Sequence, residues 1–140
     1  MLDCINRVLD KPDFGKLLLR LSFSILMLFH GWHKVQGGIG GIENMLAAAG
    51  IPAFVGYGVY MGEVVMPILM ILGIFTRPAA LIFSFTMVVA ALLSNPAGFF
   101  MFTKTGAWAV EPAAVFFFAG LAIALLGSGK YSVMSNPRWR

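Results

Sequence analysis

"LLLRLSFSILMLFHGWHKV", residues 17–35, decides the fold. From Leu17 to Phe29 only Arg20, Ser22 and Ser24 interrupt an apolar run. An α-helix rises about 1.5 Å per residue, so roughly 20 such residues cross the hydrocarbon core of a bilayer. The stretch therefore predicts a transmembrane helix over about residues 16–35. Its far end carries His30, His33 and Lys34 within five residues, ionisable chemistry that a purely lipid-facing segment has no use for.

Composition agrees with a membrane protein. The chain has 140 residues, of which 59% are hydrophobic and only 11% charged, and its mean hydropathy is +0.86. A soluble domain of this size needs a polar exterior that these residues cannot supply. No polar block is long enough to form a separate soluble domain, so residues 1–140 read as one integral membrane domain. The net charge of +4 reads as a topology signal. No basic patch interleaved with aromatics argues for nucleic acid. The lone cysteine, Cys4, rules out an intrachain disulfide, a redox-active cysteine pair and a cysteine-based zinc site. No metal centre is expected.

Working outward, residues 1–16 form a short amphipathic lead-in. The following core ends in "HGWHK", with no small-residue cleavage site, and is expected to be a retained first span. Further spans are expected over about 52–75, 78–94 and 110–127. The connection "GIFTRPAAL" is tight, with Pro78 suited to a first helical turn. Residues 36–51 read as an outer loop with a short interfacial helix in "IENMLAAAG". Residues 95–109 read as an apolar outer loop in which Phe99, Phe100 and Phe102 form a partial lid. Arg7, Lys11, Lys16, Arg20, Arg77, Lys130, Arg138 and Arg140 fall on one side, Lys34 and Lys104 on the other. The positive-inside rule then places both termini in the cytoplasm. Trp32 and Trp108 fall at the outer boundary and Trp139 near the inner one. The predicted fold is an all-α, antiparallel four-helix transmembrane bundle. Gly58 and Gly62 form a small-xxx-small pair suited to close helix approach.

This topology gathers ionisable groups in the outer half. His30 and Lys34 are four apart and share a helix face, with His33 about 60° off it. Gly31 leaves room for a neighbour. Glu63, near mid-depth of the second span, is the natural partner of His30 or Lys34, because an isolated carboxylate there is costly. Pro67 has no N–H to offer the carbonyl of Glu63, four residues back, so a polar spot forms at one level. Glu111, followed by Pro112, begins the fourth span and could line the same pocket or simply suit the helix N-terminus. Other readings stay open: His33 and Lys34 snorkelling to headgroups, and Glu63 in a purely structural salt bridge. Arg20 is expected to reach back to the inner surface, Arg77 to anchor topology, and the methionines to fill the core.

Arg20 early in the first span, "HGWHK" at its end, the glycine-rich loop ending "GIP", Glu63, "TRPAA" and "GSGKYS" occur in an order that resembles the DoxX family of small bacterial membrane proteins. The resemblance covers about residues 15–133 and places the family's HG-x-x-K on His30, Gly31 and Lys34. It likewise places the span-two glutamate on Glu63 and the inner-turn arginine on Arg77. It implies four helices in the bacterial cytoplasmic (inner) membrane and a link to quinone-related oxidoreduction. Family members often carry an aspartate after the last motif, which "SVMSNPRWR" lacks.

The resulting expectation is a quinone-linked oxidoreductase subunit. It would act with a soluble or membrane redox partner and take an apolar ligand in a pocket beside His30, Lys34 and Glu63. No haem-ligand pair, flavin motif or cysteine pair is evident, so electrons would come from that partner. The alternatives are a small-solute or proton carrier, which would need a homo-oligomer, and a non-catalytic membrane scaffold.

Overall fold

The computed structural model describes residues 1–140 and is helical throughout, without strands; one isolated bridge joins Phe102 and Trp108. Helix α1 spans Leu2–Leu9, α2 Pro12–Gly37 and α3 Gly40–Ala48. A mixed helix then runs over Ala53–Leu72. It opens as a 3₁₀ turn (Ala53–Tyr57), passes through α4 (Gly58–Tyr60) and a π-helical segment (Met61–Val65), and finishes as α5 (Met66–Leu72). Helix α6 spans Thr76–Ser94, a 3₁₀ turn covers Pro96–Phe100, and α7 spans Glu111–Leu126.

Three of these, α2, the mixed helix and α6, are long and apolar enough to cross a membrane; α7, at 16 residues, is a shorter apolar helix. Many large apolar side chains on α2 and α6 point outward, Phe29, Leu81 and Phe85 among them. That is the distribution a lipid solvent permits, since hydrocarbon outside costs apolar side chains nothing.

The buried interior is built mainly of Met27, Met66, Met70, Ala79, Ala80, Phe83, Met87, Ile123 and Ala124. Small residues set the close approaches. A Cβ on Gly62 would collide with Thr86 of α6, and one on Gly120 of α7 would collide with Ser84. Gly58, by contrast, faces open space, so only the second glycine of the expected small-residue pair works as a contact. The α5–α6 turn is made by Gly73 at φ 76° and Phe75 at φ 47°. Gly73 occupies the left-handed region that glycine enters without steric cost.

The C-terminal segment folds back across this turn. Val133 N–H donates to Leu72 O (3.0 Å), Phe75 N–H to Trp139 O (2.9 Å), and the Phe75 and Trp139 rings meet edge to face.

Two arginines hold this end together. Arg20 was expected to extend to the surface; it is instead 1% exposed. Its guanidinium donates to the carbonyls of Met70 (2.7 Å), Ile71 (3.2 Å), Tyr131 (2.7 Å) and Ser128. The last carbonyls of a helix have no intrahelical partner, and a planar five-donor cation can bridge several at once. Arg77 does the same for α7, donating to Ala124 O and Leu125 O at 2.7 Å each. Pairing with unsatisfied carbonyls is what keeps Arg20 buried rather than snorkelling.

Candidate functional site

The other end of the molecule holds the polar chemistry. Lys34 lies in the last turn of α2, and its Nζ forms an ion pair with Glu63 Oε2. The two side chains differ in exposure, 28% for Lys34 and 5% for Glu63. The carboxylate is thus enclosed, while the lysine side chain is partly exposed.

Three features of the sequence create this pairing. Gly31, one turn before Lys34, carries no side chain, and any Cβ there would run into the Glu63 carbonyl. Alpha-2 and the π segment can therefore approach backbone to backbone. Pro67 then removes the N–H that would have closed an α-helical bond to that carbonyl. The chain responds by widening to the π form over Met61–Val65, with Met66 N–H bonding to Met61 O. Such π segments are rare and recur at functional sites. Finally, Gly62 lets Thr86 of α6 press against the π segment from the opposite side.

Tyr60 completes the group. Its hydroxyl donates to the Lys34 backbone carbonyl at 3.1 Å, which also accepts from Gly38 N–H at 2.8 Å. The end of α2 is thereby pinned to the mixed helix. Sequence reasoning passed over Tyr60, although it precedes Glu63 by three residues and so shares a helical face with it.

The remaining candidates stand apart from the pair. His30 is exposed and sets its ring edge against Phe116 of α7, centroids 5.9 Å apart. His33 and Glu111 are exposed, and neither makes a side-chain hydrogen bond or ion pair. The structure therefore narrows the expected constellation of five to Lys34 and Glu63, with Gly31 and Pro67 shaping the backbone around them. Arg77 acts at the far end, on α7. No group of three or more His, Cys, Asp or Glu side chains is placed to hold a metal ion.

One buried polar group has no partner in this region of the fold. Ser24, 0% exposed, lies on the same face of α2 as Arg20, Met27 and Gly31, and its hydroxyl bonds to nothing. Ser22, Thr86 and Ser94 all return their hydroxyls to the carbonyl four residues back, the usual solution in a membrane helix. Thr76, at the start of α6, is the other buried hydroxyl left unpaired.

Comparison with known proteins places this chain in a family. The DoxX family model matches residues 15–96, a stretch running from α2 into the 3₁₀ turn after α6 and containing Lys34, Glu63 and Pro67. The chain belongs to the DoxX family of membrane proteins. It is also similar to the Bacillus subtilis (strain 168) protein named "Putative oxidoreductase CatD", with 31% identity over 80 residues. That alignment covers 57% of this chain and 59% of the relative, so the chain spans about three-fifths of that protein's length. No solved structure matches.

Proposed function

We propose that this DoxX-family protein is a quinone-linked oxidoreductase subunit of the bacterial inner membrane, binding its ligand beside the Lys34–Glu63 pair. In this reading α2, the mixed helix, α6 and α7 form an antiparallel four-helix bundle with both termini in the cytoplasm. The 16 residues of α7 span about 24 Å, enough for a thin region of the bilayer. The Lys34–Glu63 pair then falls in the outer half.

The observation that carries the proposal is the ion pair itself. An enclosed carboxylate in an apolar chain is costly, and structural need alone is better met by apolar packing. The donor set suits a quinone: an ammonium has three N–H donors, and Glu63 engages one of them. The others are free for a quinone carbonyl oxygen, which the exposed flank of Lys34 can reach. Glu63 orients Lys34 through the ion pair, and its carboxylate gives the site a group able to relay a proton. A bound quinone would supply two-electron chemistry, with electrons delivered by a partner subunit. The oxidoreductase name of the Bacillus subtilis relative agrees with this reading.

A second reading, a proton or small-solute carrier, draws on Ser24. Its hydroxyl is buried and unpaired on the packed face of α2, the kind of intramembrane polar group a proton pathway uses. One experiment separates the two. Protein purified in mild detergent is analysed by native mass spectrometry and its bound molecules are extracted. A retained quinone that is lost in Glu63→Gln and Lys34→Met supports the subunit reading. An empty protein that conducts protons in liposomes replaces it with the carrier.

A further inference from the structure

Helices α6 and α7 make the most extensive helix–helix interface in the molecule, yet they do not pack evenly. At Gly120 the two backbones are as close as side chains allow: Ser84, Phe83 and Ala80 all crowd the position. The Ser84 hydroxyl bonds across to Phe117 O at 2.9 Å. Toward the 95–110 connection small side chains, Ala91, Ala113 and Ala114, line a wedge between the two helices. A cavity of about 210 Å³ results, and every residue lining it is apolar.

The connection roofs this cavity. Phe99 and Trp108 both line it and meet edge to face, centroids 6.1 Å apart. The indole N–H donates to Phe99 O at 3.1 Å, so the aromatic roof is tied to its own backbone. Phe100 and Phe102, expected to belong to the lid, turn outward instead and are 91% and 74% exposed. One flank of the cavity is formed by Phe118, 60% exposed on the outer surface of α7.

We infer that this wedge is a binding site for a single unbranched hydrocarbon chain, the acyl chain of a membrane lipid. An apolar cavity of about 150 Å³ lined by aliphatic and aromatic side chains stays dry and binds small hydrocarbons. In the four-helix reading proposed above, on which this inference rests, the exposed Phe118 flank of α7 meets bilayer hydrocarbon, so the chain at hand is acyl. A tied aromatic roof and alanine walls make a slot of fixed shape rather than a generic greasy surface. Phe116 shows that the site is separate from the Lys34–Glu63 region: it turns away from the cavity to meet Phe23 and His30 of α2. The inference stands independently of the quinone reading.

Trp108 supplies the probe. Trp32→Phe and Trp139→Phe leave it as the sole tryptophan of a chain that has three. Dibrominated stearate, whose bromines quench indole on contact, is titrated into this full-length protein in mild detergent. The site predicts saturable quenching at one probe per chain, reversed by unlabelled stearate. Filling the wedge with Ala114→Phe, or from the opposite wall with Ala91→Leu, weakens binding at least tenfold while circular dichroism stays that of the parent. Quenching that only rises in proportion to probe, with no saturation, overturns the site. So does saturable binding unchanged in the two filled variants, and so does reversal by an isoprenoid alcohol but not by stearate. Should one filled variant lose its helicity, the other and the parent isotherm still decide.

Discussion

Breaking the Lys34–Glu63 pair from each side in turn should give unequal losses, because the two partners are unequally enclosed. Removing one member of a buried pair costs about 3–5 kcal/mol when the other charge is stranded. Lys34→Met strands Glu63, which is 5% exposed, and should cost about 3 kcal/mol, at the low end because water reaches the vacated lysine side. Glu63→Gln strands Lys34, whose side chain is 28% exposed and can extend toward the headgroups, so the loss falls to about 1 kcal/mol. The double variant leaves a buried neutral amide without a donor, a cost of about 2 kcal/mol. The cycle therefore predicts a coupling of about 2 kcal/mol. A neutral hydrogen bond between membrane helices couples by only about 0.6 kcal/mol, so the measurement can tell the two apart. Reversible unfolding in mixed micelles with rising sodium dodecyl sulfate, followed by tryptophan fluorescence, reads all four proteins. Additive losses, a coupling at or below the neutral value, or an equal loss from the two single variants would refute the charged pair as the organiser of this site.

Gly31→Ala places a Cβ against the Glu63 carbonyl, where backbone must give way; a loss of about 1–3 kcal/mol is expected in the same assay, and an unchanged midpoint would mean the helices are not in this contact. Arg20→Lys keeps the charge but cannot bridge four separate carbonyls, so the C-terminal segment should come loose. Trypsin should then cut at Lys130 at least tenfold faster than in the parent, and equal rates would show that Arg20 does not hold the segment. With Cys4→Ser as background, Lys104→Cys should react with an impermeant maleimide from the periplasmic side; labelling from the cytoplasmic side alone would overturn the proposed orientation.

Much of this was legible before any coordinates. Apolar runs and their punctuation by glycine and proline are local signals, and the helical, membrane-type chain they imply is what the fold shows, with three helices long and apolar enough to cross a membrane. The Lys34–Glu63 pair was also foreseeable, since a lone carboxylate inside an apolar span demands a partner. The sequence could not choose among partners. His30 and Lys34 lie on one face, and a small rotation of α2 decides which of them meets Glu63. That rotation is set by Gly31 resting on the Glu63 carbonyl, a contact between residues 32 positions apart.

Arg20 makes the same division from the other end of the molecule. By itself an arginine near a helix start reads as a surface anchor, because its natural solvent is water or headgroups. Its burial depends on four carbonyls drawn from the end of α5 and from the segment after α7, which only chain folding assembles. The wedge under Trp108 is likewise invisible to periodicity: alanines at 91, 113 and 114 read as good helix formers, and only the packing of α6 against α7 makes them the walls of a cavity. Membrane insertion and helix identity follow from side-chain transfer energies and local backbone preference, which sum along the chain. Which polar groups meet, and where space is left, follow from how helices rotate and tilt against one another, and that is settled by contacts distant in sequence.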